Sequence, residues 1–448
     1  MVSPTVPPLY NYQDRVVAWT AERDCGFWAI DMGLGKARCA IEHLRRTGRP
    51  GIVFAPLQVA MSTWPKEVRK WADGMHYAVL HGPSKRDRLL TGADLLIINY
   101  DGLPWLAANH AGLLKGRTAF FDESTSVKSP KAARTKLSAI LRPQFKECYM
   151  LSATPTPNGI QDIWAQARIM DEGARLGRKY TPFLHKYFNV DQFYRVSLRY
   201  PEAQEEILAK LSDCMIRLKG EDYQNLPPYV VNDIEVELPA KLKDRYKQFH
   251  KDFIYDLGNE KVVTAVNAAV LGSKLRQFIQ GGLYDENRTV AEVHTLKLDM
   301  LEQIQEELAG EPNLVVINFK FELEAIRKRF GSSVPAITGE TPVHTRVAIE
   351  NEWNRGALPM VVVHPATVSR GLNLQDGGHY ITWMALTWNW EHYHQLNGRL
   401  RRSGQTKPVV LNRLIIPGTI DARVAAVLEA KGANQEAVLQ ALTSKESC

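Results

Sequence analysis

Trp28-Ala29-Ile30-Asp31-Met32-Gly33-Leu34-Gly35-Lys36-Ala37 decides how the rest of the chain is read. Three apolar residues read as a buried strand that runs into a glycine-containing turn, and Ala37 to Arg45 follows with helical spacing. Strand, glycine loop and helix in this order gather main-chain N–H groups at a helix N-terminus. Such a site cradles phosphate, and Lys36 can reach the outer phosphates of a nucleotide. The same residues also fit a plain strand-to-helix turn. Two positions depart from the general phosphate-loop pattern. Ile30 takes the place of the opening glycine, and Ala37 stands where a Ser or Thr normally helps to hold Mg²⁺. Met32, Gly33, Leu34, Gly35, Lys36 and Ala37 are the candidate nucleotide-binding residues of this loop.

Two further strand ends point to the same chemistry. Thr118 to Phe121 reads as a buried strand that ends in Asp122-Glu123, and carboxylates at the C-terminal tip of such a strand face the phosphate loop. Asp122 can hold Mg²⁺ through water, and Glu123 can orient and deprotonate an attacking water. An acidic pair opening a solvated loop would look alike. Leu151-Ser152-Ala153-Thr154-Pro155 also follows an apolar strand, and its small hydroxyl residues can sense the γ-phosphate. Three such elements in this order support one another.

Short apolar runs separated by helical patterns extend in both directions: Gly51 to Ala55, Asp94 to Asn99, Ala119 to Phe121 and Cys148 to Leu151. A second series comprises Leu314 to Phe319, Met360 to His364, His379 to Met384 and Val409 to Ile416. This rhythm predicts an α/β fold with two parallel-sheet lobes in tandem. The expected division is lobe 1 over residues 1–170, a helical insertion and linker over 171–290, and lobe 2 over 291–448. Pro227-Pro228 predicts a break, with a boundary near Val231. No repeat or low-complexity segment interrupts the pattern.

The chain has 448 residues, 45% hydrophobic and 23% charged, which is the balance of a globular protein rather than a disordered or membrane chain. Its net charge of +7 suits a polyanionic partner, although the basic residues are dispersed and fit a solvated surface equally well. The five cysteines form no C-x-x-C pair, which argues against a zinc site or a disulfide framework and suits a reducing cytoplasm. Met1 to Pro8 lacks a signal-peptide pattern, and no apolar run is long enough to span a membrane.

Through these residues the chain resembles the Swi/Snf-type branch of helicase superfamily two, especially the compact helicase-like proteins of bacteriophages, over nearly its whole length. Met32 to Lys36, Asp122-Glu123-Ser124-Thr125 and Ser152-Ala153-Thr154-Pro155 are similar to that branch's first three nucleotide motifs. The resemblance implies RecA-like lobes, ATP and Mg²⁺ as cofactors, and Gln13 as the residue that reads the adenine edge. Gln395-Leu396-Asn397-Gly398-Arg399-Leu400-Arg401-Arg402 is similar to the sixth motif. It implies that Gln395, Arg399 and Arg402 serve catalysis, with the two arginines three apart on one helical face acting on the γ-phosphate. Arg401 is expected to point elsewhere, toward solvent or nucleic acid.

The same resemblance assigns Pro56, Asn99, Tyr100, Lys128, Lys320, Thr367 and Arg370 to nucleic-acid contact, largely independent of sequence. Gly371 is implied beside the nucleotide. Trp383, Trp388 and Trp390 are expected in core or interlobe packing rather than as a base-stacking platform. The implied activity is an ATP-driven translocase on DNA, duplex or branched, with RNA the less favoured strand and a monomer compatible with the sequence. A second reading is a nucleotide-gated DNA clamp that hydrolyses weakly because Ala37 removes a magnesium ligand. A scaffold on an inactive fold is disfavoured by the joint presence of Lys36, Asp122, Glu123, Gln395, Arg399 and Arg402.

Overall fold

A computed structural model describes residues 7–72, 74–191, 196–223, 226–258, 265–368, 371–402 and 404–443. The chain divides into two compact units, Met1–Asn225 with Lys431–Cys448, and Leu226–Ala430. The strands of the first are β1 (Cys25–Ile30), β2 (Gly51–Ala55), β3 (Tyr77–Val79), β4 (Leu95–Asn99), β5 (Thr118–Asp122), β6 (Glu147–Leu151), β7 (Phe188–Val190), β8 (Val196–Leu198) and β9 (Met215–Leu218). Seven of them form one sheet in the order β3-β4-β2-β5-β6-β1-β9. Every pairing in it is parallel. The short strands β7 and β8 pair antiparallel outside it.

Burial on both faces explains the apolar runs. β2 and β4 are buried at every position, as a parallel sheet covered on both sides requires. Side chains alternate between faces. Phe27, Ala29, Phe54, Phe121 and Met150 enter one core, while Trp28, Ile30, Val53, Phe120 and Tyr149 enter the other. Phe54 stacks on Phe121 with ring centroids 4.6 Å apart, which locks β2 to β5.

The second unit contains β10 (Tyr229–Glu235), β11 (Gly282–Tyr284), β12 (Val290–Glu292), β13 (Asn313–Val316), β14 (Ala336–Ile337), β15 (Met360–Val363), β16 (Tyr380–Trp383) and β17 (Val409–Ile415). Six form a parallel sheet in the order β10-β17-β16-β13-β15-β14. Trp353 and Trp383 are fully buried in its core, and Trp390 is also buried, whereas Trp388 is exposed.

The stretch 171–290, expected as a helical insertion, does carry the helices Ala240–Gly258 and Ala265–Ile279. It also supplies β9 to the first sheet and β10 to the second. Both strands lie at sheet edges. An edge strand is paired on one side only, so β9 accommodates the half-buried Arg217 and β10 is mostly exposed. Neither therefore leaves a continuous apolar run to be read. Among the described residues, no helix is long and apolar enough to cross a membrane.

Candidate functional site

The residues picked out for nucleotide chemistry sit at the C-terminal ends of β5, β6 and β1, which are consecutive in the first sheet. Gly33 and Gly35 adopt positive φ of 85° and 81°, left-handed values that glycine reaches without a Cβ penalty. Gly35 is the N-cap of helix α2 (Lys36–Thr47), so the loop turns its main-chain N–H groups toward the space in front of that helix. Lys36 folds over its own loop, its Nζ donating to the Ile30 carbonyl at 2.8 Å and the Asp31 carbonyl at 3.4 Å. Asp31 Oδ2 accepts from Gly220 N at 2.9 Å, which anchors the loop to the segment after β9. Ala37 is the second residue of α2.

Helix α1 (Asn11–Ala21) brings Gln13 against this loop. The Gln13 amide is buried and engaged at both ends. Its Oε1 accepts from Tyr10 N at 3.2 Å, and its Nε2 donates to the Leu34 carbonyl at 3.2 Å. The expected base-reading residue is thus held on the phosphate loop and would have to exchange a partner to contact a base. Tyr10, 63% exposed, stacks on Tyr12 at 5.5 Å beside it.

Asp122 and Glu123 close β5. The Trp64 indole donates to Asp122 Oδ2 at 2.9 Å, Glu123 N donates to Asp122 Oδ1 at 3.1 Å, and the Tyr100 hydroxyl donates to the Asp122 carbonyl at 2.8 Å. Glu123 itself has φ 51°, ψ 57°, a left-handed conformation that costs a non-glycine residue about 1–2 kcal/mol. The following residues hold it there. Ser126 N donates to the Glu123 carbonyl at 2.9 Å, and Ser124 Oγ donates to Gln166 Oε1 at 2.7 Å. Gln166 Nε2 in turn donates to the Pro155 carbonyl at 2.7 Å. The carboxylate tip of β5 and the hydroxyl motif after β6 are therefore tied through one fully buried amide. In that motif Thr154 N donates to Ser152 Oγ at 3.0 Å. Among the described residues no group of three or more His, Cys, Asp or Glu could cage a metal. Asp122 is a carboxylate that would suit a hydrated Mg²⁺ held also by nucleotide phosphates.

The proposed nucleic-acid residues fall into two groups by unit. Pro56 and Asn99 follow or end the paired strands β2 and β4, where Ala55 lies opposite Asn99. Both are buried, as is Tyr100, whose hydroxyl turns toward Asp122 rather than outward. Lys128 is half-buried at the end of the short turn after Glu123. In the second unit, Lys320 and Thr367 follow the paired strands β13 and β15. Lys320 is exposed and ion-paired with Glu340. Arg370 lies outside the described residues. Gly371 has a positive φ of 86°.

The arginine motif differs from expectation in one respect. The helix Trp390–Asn397 stops at Gly398, so Arg399 and Arg402 lie in the turns beyond it and do not share a helical face. Glycine is a poor helix former because it loses the most backbone freedom when ordered, which favours a helix end there. Gln395 is buried within the helix. Arg399 is buried and donates to the Leu372 carbonyl at 3.1 Å, while Arg402 donates to Asn373 Oδ1 at 2.7 Å. Both arginines are thus set against the segment after Gly371. Arg401, expected to meet solvent or nucleic acid, instead donates to the Pro227 carbonyl at 3.2 Å and lies over the Tyr229 ring.

An SNF2-related domain matches residues 12–280, and a helicase conserved C-terminal domain matches residues 296–404. The chain belongs to the SNF2-related family. Protein p41 of Acyrthosiphon pisum secondary endosymbiont phage 1 is 33% identical over 93% of this chain and 95% of its own. A Bacillus subtilis (strain 168) protein named as an ATP-dependent helicase/translocase, YwqA, is 25% identical over 96% of this chain, which spans 49% of that relative. A solved structure, the Sulfolobus solfataricus SWI2/SNF2 ATPase core in complex with dsDNA, aligns with 98% of this chain and 96% of its own, at 21% identity and a TM-score of 0.46.

As a member of this family the protein is an ATP hydrolase, built on two parallel-sheet units. Sequence reasoning did not single out Trp64 or Gln166, because their roles come from contacts to residues far away in sequence. Their burial and polar tips are what such a role requires, yet neither is visible from local pattern.

A Cβ at Gly35 would lie 2.4 Å from Gln13 Nε2. Gly35→Ala should therefore strain the loop and expel Gln13, raising the KM for ATP about tenfold, an effect of about 1.4 kcal/mol. Gln166→Leu strands the Ser124 hydroxyl and the Pro155 carbonyl. Thermal unfolding should report a loss of about 1–3 kcal/mol in the first unit, with a lower turnover in steady-state assays.

Proposed function

We propose that this protein couples ATP hydrolysis to movement along double-stranded DNA, including branched duplexes. The observation that carries the reading is the order of strand ends along one parallel edge. The loop after β1, the motif after β6 and the carboxylates of β5 are followed directly by β2 and β4, whose ends resemble strand-tracking segments. A nucleotide-binding half and a DNA-tracking half would thus share one rigid sheet.

In this mechanism the N–H groups of residues 33–36 and the N-terminus of α2 bind the phosphates. Lys36 leaves the Ile30 and Asp31 carbonyls to meet the outer phosphates, which replace those acceptors with a formal charge. Asp122 would hold Mg²⁺, and the ion would supply charge neutralisation at the phosphates when bound. Glu123, fixed by the Ser124–Gln166 link, orients a water and takes its proton. On the family resemblance we assign to Arg399 and Arg402 the stabilisation of charge developing on the transferred phosphoryl group. The helicase/translocase named among the relatives supports the motor reading. The free thiols of Cys25, Cys39, Cys148 and Cys214 suit a reducing cytoplasm.

Steady-state hydrolysis with Mg²⁺ tests this in the presence of no nucleic acid, single-stranded DNA, duplex DNA, a branched junction and RNA. Duplex or junction DNA is expected to stimulate turnover most, and Glu123→Gln to lower it by about 100-fold or more. Equal turnover in all five conditions would refute coupling to DNA. Ala37 keeps the gated clamp in view as a second reading, since it removes a hydroxyl from the metal position. For a motor, Ala37→Thr leaves turnover close to that of the parent, whereas a sharp rise would favour the clamp.

A further inference from the structure

Asp122 is held by two side chains that belong to neither the phosphate loop nor the acidic motif. Tyr100 follows β4 directly, and its hydroxyl donates to the Asp122 carbonyl. Trp64 is reached from β2 through Pro56-Leu57-Gln58 and a π-helical turn, Val59–Thr63, and its indole N–H donates to Asp122 Oδ2. Trp64 is 1% exposed and Tyr100 is 4% exposed, so neither side chain can itself lie against a large ligand. Both can carry a displacement inward.

The π turn is informative. A turn of this kind inserts one residue into a helix and rotates everything after it by about 100°, at a cost in hydrogen-bond geometry. Here it closes with Trp64 N donating to the Val59 carbonyl, immediately before the helix Trp64–Trp71. It thereby sets the direction in which the first side chain of that helix projects, which is toward the end of β5. Because β2 lies between β4 and β5, the segments leaving β2 and β4 are the two nearest neighbours of Asp122 on that side of the sheet.

We propose that Trp64 and Tyr100 are positioning residues for Asp122, through which DNA held by segments 56–64 and 99–103 adjusts the carboxylate that faces the nucleotide. This rests on the reading that those segments track DNA. Trp64 fixes one carboxylate oxygen while Glu123 N fixes the other, so a shift of either strand-end segment rotates or releases the carboxylate plane. Tyr100 holds the main chain under it.

Tyr100→Phe removes one oxygen and keeps the packed ring, and Trp64→Phe removes the indole donor. For each, three quantities are measured: hydrolysis with and without duplex DNA, duplex affinity by fluorescence anisotropy, and the indole N–H spectrum of ¹⁵N-tryptophan protein. The Trp64 resonance is assigned by its loss in Trp64→Phe. Duplex DNA without nucleotide is expected to move that resonance in the wild type and not in Tyr100→Phe. The ratio of kcat with saturating duplex DNA to kcat without it should fall about tenfold or more in Tyr100→Phe. Should Trp64→Phe melt early, Tyr100→Phe carries the test alone. Full stimulation in Tyr100→Phe, together with a wild-type indole resonance indifferent to DNA, would overturn the proposal and leave the motor intact. A wild type that neither binds nor responds to DNA would instead bring down the motor reading and this proposal with it.

Discussion

Parallel pairing of β2, β5, β6 and β1 is the constraint on which the candidate site depends. Parallel strands point all their C-terminal ends the same way, so residues far apart in sequence arrive on one edge. Asp122 lies opposite Leu151, and Trp28 lies opposite Leu151 on its other side. The register therefore aligns the acidic tip and the start of the hydroxyl motif to within a residue, and sets the start of the phosphate loop three to four residues beyond Trp28 on the same edge. Register slips are costly here because both faces are buried, with Phe120 and Phe121 committed to opposite cores.

Asp122 is where this edge becomes more than a row of loops. Its side chain and carbonyl are bound from the segments after β2 and β4, while the residue after it is forced into a left-handed turn. Strain of that kind persists only where the surroundings over-determine it. The Ser124–Gln166–Pro155 link is one such determinant, since a buried amide that lost either partner would be left with an unmet hydrogen bond. Chemistry at Glu123 is accordingly set by a network rather than by the acid alone.

The central strands of both sheets are legible in the sequence because burial on two faces turns them into unbroken apolar runs: β2, β4, β13 and β15 are buried throughout. The edge strands β3, β9, β10 and β14 are not legible, being short or half-exposed and paired on one side. The nucleotide motif is readable because its glycines and lysine answer a local backbone requirement. Trp64, Gln166 and the inward turn of Tyr100 depend on long-range contacts that no local pattern encodes. The helical face expected for Arg399 and Arg402 fails for a local reason, the helix end at Gly398, which the glycine could have signalled.

Displacement of a third strand from a triplex on duplex DNA tests the central claim most directly, because only directional movement along the duplex removes it. The account predicts ATP-dependent displacement by the parent protein and none by Glu123→Gln. Failure of the parent protein to displace the strand, while ATP still changes its affinity for the duplex, would contradict the motor and leave a nucleotide-gated clamp in its place.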